Sequence, residues 1–294
     1  MASAPAPTVP DPLAAAGLRA ERVNYATGVL LQAEDFQDEQ TYHRGRLAMA
    51  LRHLVGFGTI AGLRVRAPAE KDAQLEIHVD PGLALDRLGR LIQIDEPYCL
   101  RLARWFAAQD TALLRSAIQR KPRTPLDVAV VADVFLSAAD CGRGKTPSFA
   151  SGPFDALDAL VPARLAEQPQ LTLVPRAEGG PGDIPSPANF WPAPNAKAED
   201  KLAAVLGAFD TGVAGGANDG PQPLQEHVEG NDLSAVLLAR VAIPVTLAAD
   251  APTGTRPVLD LTKRTRVDNG LRPFIYLPGK WLGLAPAAAP LVEP

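Results

Sequence analysis

The run Leu126-Asp127-Val128-Ala129-Val130-Val131-Ala132-Asp133-Val134-Phe135-Leu136 is the longest β-type stretch in the chain. It is apolar on both faces over part of its length, the pattern of a central strand covered from both sides. Leu233–Leu247 (LSAVLLARVAIPVTL) reads as a further strand, interrupted or ended near Pro244, and Leu171–Val174 (LTLV) as a short one. Upstream, Thr59–Arg66 (TIAGLRVR) and Gln74–Val79 (QLEIHV) alternate, with Leu75, Ile77 and Val79 on one face and Gln74, Glu76 and His78 on the other. Asp80-Pro81-Gly82 is a turn by composition. Leu83–Leu85 and Leu91–Ile94 flank Asp86-Arg87-Leu88-Gly89-Arg90, which predicts a hairpin with glycine at the tight position, and Pro97–Leu102 continues extended. Arg256–Leu261 and Phe274–Leu277 are extended candidates with an Asn269-Gly270 turn between them.

Three segments read as helix. In residues 33–55, Phe36, Gln40, His43, Leu47, Ala50 and Leu54 recur at four-three spacing and line one face. Glu34, Asp35, Asp38 and Glu39 place negative charge on its first turns, where the helix dipole favours it, and Gly56 and Gly58 end it. Residues 103–120 carry Trp105, Phe106, Leu113, Leu114 and Ile118 at mixed helical spacing until Pro122 stops the pattern. Ala198–Phe209 is the third, ending before Gly212.

The sum is an α+β, β-dominated chain. We expect one antiparallel β-sandwich or barrel-like unit with an N-terminal docking helix and long Pro/Gly-rich loops. The expected organisation is a flexible arm at 1–18, a helix plus β-meander core at 19–138, and a loop-rich insertion with a short helix at 139–230. Strands at 231–277 complete the β core, and a C-terminal arm occupies 278–294. There is no internal repeat and no heptad pattern.

Bulk properties narrow the function. The chain has 294 residues, 47% of them hydrophobic, with 29 prolines and 24 glycines, and a mean hydropathy near zero. It is long enough to bury a substantial core. A net charge of −4 and a pI near 5.6 lack the concentrated basic face that nucleic acid requires, so no nucleic-acid partner is expected. Cys99 and Cys141 are too few for a disulfide framework, which makes a reduced cytoplasmic setting the default. Residues 1–18 have no basic start and no uninterrupted apolar run, so no secretory signal is expected. No segment approaches the roughly 20 apolar residues of a membrane span.

Motifs that carry chemistry are weak. Gly142-Arg143-Gly144-Lys145-Thr146 contains the end of a phosphate-binding loop, but the first glycine would fall at Ala139 and Pro147 blocks the helix that should follow. His43, His53, His78 and His227 show no metal-ligand spacing; His43 is expected at the helix interface and His78 toward solvent. Ser151 lacks a nucleophile elbow. Asp80, Asp86, Asp95 and Glu96 surround hairpin turns, where aspartates usually bond their own backbone. Phe190-Trp191 sits in a proline-rich loop without a core of its own, so both rings need something to bury them; Trp281 shares that ambiguity. No catalytic, cofactor or metal site is expected.

The opening Val23–Arg44 joins an extended segment, a glycine turn, the pair Leu30-Leu31 and an acidic helix start. It resembles structural proteins of phage-tail-like contractile injection systems and, more distantly, the start of the type VI secretion baseplate adaptor. Similar patches recur in Val79–Ile94, in Cys141–Ser148 with Val161–Glu167, in Leu238-Ala239-Arg240-Val241 and in Val267–Arg272. Coverage is about residues 20–277. The loop around Cys141 has fewer cysteines than the resemblance would give, and the proline-rich insertions depart from it too.

The resemblance implies a structural subunit near a baseplate or tail fibre. Its partners would be baseplate, sheath or fibre proteins and other copies of itself, with a trimer the suggested oligomer. The expected docking residues are Tyr25, Leu30, Leu31, Phe36, Tyr42, His43, Leu47, Phe190, Trp191 and Trp281. Such a subunit would be cytoplasmic during assembly, then released or anchored within the particle. Two other classes remain open from sequence: a receptor- or glycan-binding module using Trp191, and a hydrolase built on a carboxylate or histidine cluster.

Overall fold

Asp133 stands inside the apolar run Leu126–Leu136, fully buried, where the guanidinium groups of Arg176 and Arg240 neutralise it. The computed structural model describes residues 8–9, 11–14, 21–67, 76–119, 128–148, 160–177, 197, 199–200, 227–228 and 230–275. In chain order the first strand is β1 (Thr8–Val9), followed by a 3-10 turn (Pro12–Ala14), helix α1 (Ala33–Leu54), β2 (Gly58–Gly62) and β3 (Val65–Arg66). Then come β4 (Glu76–Val79), β5 (Gly82–Leu85), β6 (Leu91–Ile94), β7 (Tyr98–Arg101), α2 (Leu102–Ala108), α3 (Thr111–Ser116) and β8 (Ile118–Gln119). The rest is β9 (Ala129–Arg143), β10 (Thr146–Pro147), β11 (Leu160–Val161), β12 (Arg164–Pro175), β13 (Val236–Thr246), β14 (Val258–Leu259) and β15 (Arg266–Asp268). The fold is α+β and β-dominated, with curled antiparallel sheets forming a half-barrel behind the N-terminal helix.

The central strand expected from Leu126–Leu136 is β9, and it runs on to Arg143. One edge of β9 pairs with β13 and, further along, with β1; the other pairs with β12 and β8. The meander is two small sheets, β2-β5-β6 and β3-β4-β7. One core joins all three: Val65, Ile77, Val79 and Ile92 from the small sheets, with Leu63 between β2 and β3, pack with Val130, Val134, Leu136, Leu238 and Val241 from the large one. Each such side chain contributes about 1.5–3 kcal/mol by leaving water.

Several expectations need correction. The short strand Leu171–Val174 is the end of a twelve-residue strand, β12, paired with β9 from Arg164 to Pro175. Pro169 and Pro175 are tolerated because β12 lies at the sheet edge, where a missing N–H breaks no ladder bond. The expected boundary at 138 therefore falls inside β9. β13 does not stop at Pro244: the Pro244 carbonyl accepts from Asp260 N–H, and β13 continues to Thr246. The helix expected over 103–120 is two short helices and a strand, broken where Asp110 caps α3 by accepting from the Ala112 and Leu113 amides. Thr59–Arg66 is split into β2 and β3 around Leu63, which has φ +56°. Asn269-Gly270 follows β15 and, among the described residues, closes no hairpin. The arm over 1–18 is docked where it is described: Thr8 and Val9 pair with Cys141 and Asp140, and Leu13 is buried.

Most of Ala198–Phe209 lies outside the described residues, as do the C-terminal arm and the bulk of the proline-rich loops. Among the described residues no helix is long and apolar enough to cross a membrane.

Candidate docking surface

Helix α1 forms as its sequence directs. Glu34 and Asp35 lie in the first turn, and the Gln32 amide donates to the Asp35 carboxylate at 2.7 Å, satisfying a group the helix would leave open. At the other end Gly56 takes φ +86° and its amide donates to the Arg52 carbonyl, closing the last turn.

The face of α1 that meets the body is made of small and charged residues. Gly45 and Ala48 are its buried positions. At Ala48 the β5–β6 turn approaches so closely that a Cβ on Gly89 would overlap the Ala48 carbonyl; Gly89 also has φ +87°, which favours glycine. Arg44 reaches Asp11 at 3.5 Å, Asp140 at 3.7 Å and Glu167 at 3.8 Å. Arg90 completes the mount, donating to Asp86 at 2.6 Å, Asp11 at 3.0 Å and Ser234 Oγ at 2.9 Å. The docked N-terminal segment, the hairpin, the long strands and the helix thus share one charge network.

The opposite face is the apolar stripe read from the sequence, and it points away from the body. Phe36 is 50% exposed, Leu47 62% and Leu54 85%, with Gln40, His43 and Ala50 exposed between them. Before the helix, Leu30 is 84% exposed, and Val29 and Tyr25 are exposed as well. The Tyr25 hydroxyl donates to Glu39, strapping the extended segment to the helix. Tyr42 is half-buried, with the His43 ring edge-on at 5.3 Å and the Arg46 guanidinium over its ring at 5.6 Å. Leu31 is half-buried. His43 is exposed beside Glu39 at 3.9 Å, so among the described residues it does not pack at the interface between helix and body. Seven of the expected docking residues, Tyr25, Leu30, Leu31, Phe36, Tyr42, His43 and Leu47, thus lie on or beside one helix. Phe190, Trp191 and Trp281 lie outside the described residues.

The motifs that carried the resemblance are framework. Asp86 is buried and accepts from the Leu88 and Arg90 amides at 2.9 and 2.8 Å, which explains its place in the hairpin. Arg240 of the Leu-Ala-Arg-Val patch donates to Asp133 at 2.7 and 3.0 Å, and Arg176 donates to the same carboxylate at 2.7 Å. The Asn269 side chain bonds both the amide and the carbonyl of Val65, at 2.9 and 3.0 Å, acting as an extra strand residue beside β3. Arg272 donates to Asn269 and to the Gly62 carbonyl; burial pushes its guanidinium down to about 10, and Arg64 adds repulsion. Asp133 and Arg176 were missed from sequence, although a lone carboxylate inside an apolar strand is itself a signal of a buried partner.

Other candidate chemistry is occupied or dispersed. Lys145 follows a β-strand and Thr146-Pro147 is itself strand, paired with Leu160–Val161, so no helix follows the Gly-Lys-Thr sequence. Asp80 pairs with Arg66, Asp86 with Arg90, and Asp95 accepts from Gln93. His227 Nε2 lies 3.1 Å from the Ala235 carbonyl and its ring stacks obliquely on Phe135. Burial pushes the His227 pKa down. Cys141 is buried in β9 rather than in a loop, and neither cysteine is in a disulfide. His78 is half-buried and faces Glu76 and Cys99 across β4 and β7. No protein-family model matches the chain, and no curated protein matches it.

Proposed function

We propose that this chain is a structural subunit of a contractile, phage-tail-like particle. It would join baseplate, sheath or fibre proteins, and other copies of itself, through the outer face of α1 and the extended segment before it. The observation that carries the reading is the orientation of α1: its large apolar side chains face outward while the opposite face is locked to the sheets by Arg44, Arg90 and the Gly89 contact. An exposed apolar stripe on a helix fixed at this level offers a partner burial without the cost of ordering the helix first. The resemblance of Val23–Arg44 to injection-system proteins supplies the kind of partner. In this reading the chain's role is assembly and not catalysis, and it is built in the cytoplasm before leaving within the particle.

The test is purification of the tagged full chain from cells expressing its surrounding gene cluster, with mass spectrometry of copurifying proteins and negative-stain imaging. Sheath, tube or baseplate proteins recovered with tail-like particles are the expected result. A lone soluble chain would overturn the proposal and move glycan arrays and hydrolase screens forward.

A further inference from the structure

Glu76, His78 and Cys99 are distant from one another only in sequence. Glu76 and His78 project from the same face of β4, and the β4–β7 register sets Cys99 directly beside His78 and Arg101 beside Glu76. Glu76 Oε2 lies 3.5 Å from His78 Nε2 and 3.7 Å from Cys99 Sγ, and all three ligand atoms fall within 4.8 Å of one another. A tetrahedral zinc ion with ordinary bonds to oxygen, nitrogen and sulfur sets its ligands about 3.3–3.6 Å apart. Two edges of that polyhedron are already near length.

Two further observations point to a ligand. His78 Nε2 is buried and makes no hydrogen bond, an arrangement that ordinarily has a reason. Arg101 Nε sits 3.5 Å from Glu76 Oε1, the oxygen turned away from the cluster, which orients the carboxylate and leaves Oε2 for the site. Arg66, the neighbour of His78 on β3, is engaged by Asp80, which follows β4, so its charge is compensated.

We propose that Glu76, His78 and Cys99 bind one zinc-type divalent cation, with the fourth position taken by water or an incoming group. A thiolate, an imidazole and a carboxylate form the mixed donor set that suits such an ion rather than calcium or magnesium. Binding clips β7 to β4 and stabilises the fold through linkage. Nothing in this site depends on the docking role of α1.

The experiment uses the full chain stripped with a chelator and titrated with Zn²⁺ against a chromophoric competitor. One equivalent is expected, with affinity lowered more than about 100-fold by Cys99→Ser or His78→Gln and about tenfold by Arg101→Gln. Cys141→Ser should leave affinity unchanged. Independently of any variant, saturating Zn²⁺ should shield Cys99 from iodoacetamide, read on its peptide by mass spectrometry. Failure to bind one equivalent, Cys99→Ser binding like the wild type, or unchanged Cys99 alkylation would each overturn the proposal.

Discussion

The two faces of α1 are built by opposite rules. The inner face, Arg44, Gly45 and Ala48, is small and charged, because close backbone approach and ion pairs hold it to the hairpin turn and to Asp11 and Asp140. The outer face, Phe36, Leu47 and Leu54, is large, apolar and exposed. Apolar periodicity ordinarily finds the core side of a helix. Here it finds the exposed side, and the core side is marked by a glycine and an alanine.

The contrast is broken most severely from the inside. Gly89→Val places a β-branched side chain at φ +87° against the Ala48 backbone, and no soluble folded protein is expected on expression. Arg90→Ala removes the partner of a fully buried Asp86 and should cost about 3–5 kcal/mol in denaturant unfolding.

Acid probes the body through His227. The folded His227 resists protonation because it is buried, while the unfolded residue takes up a proton near its ordinary pKa of 6.5. Its contribution to stability is therefore full above pH 6.5 and is lost as pH falls from there through the lower folded value. Thermal melts between pH 7.5 and 5 should show that decline, and His227→Gln should flatten it. At the small end, Leu54→Ser on the outer face should shift unfolding by no more than about 0.5 kcal/mol.

What the sequence disclosed follows the range of its interactions. The bounds of α1 and the β5–β6 hairpin rest on local signals, Asp35 and Gly56 for one and Asp86 with Gly89 for the other, and both were legible. β12 was largely hidden, because Pro169 and a polar, exposed first half disguise a strand whose existence depends on the neighbouring β9. The face assignment of α1 was legible as a stripe but silent on direction, since only the fold says which side Ala48 faces. Asp133 with Arg176 and Arg240, and Cys99 with His78, are pairings set by strand register, and no spacing rule reaches across it.

The outer face can be tested without disturbing the inner one. In the double variant Phe36→Asp, Leu47→Asp, the monomer's melting curve should match the wild type while copurification of sheath, tube or baseplate proteins is lost. Unchanged melting together with undiminished recovery of assembled particles would contradict the assignment of α1 as the docking surface.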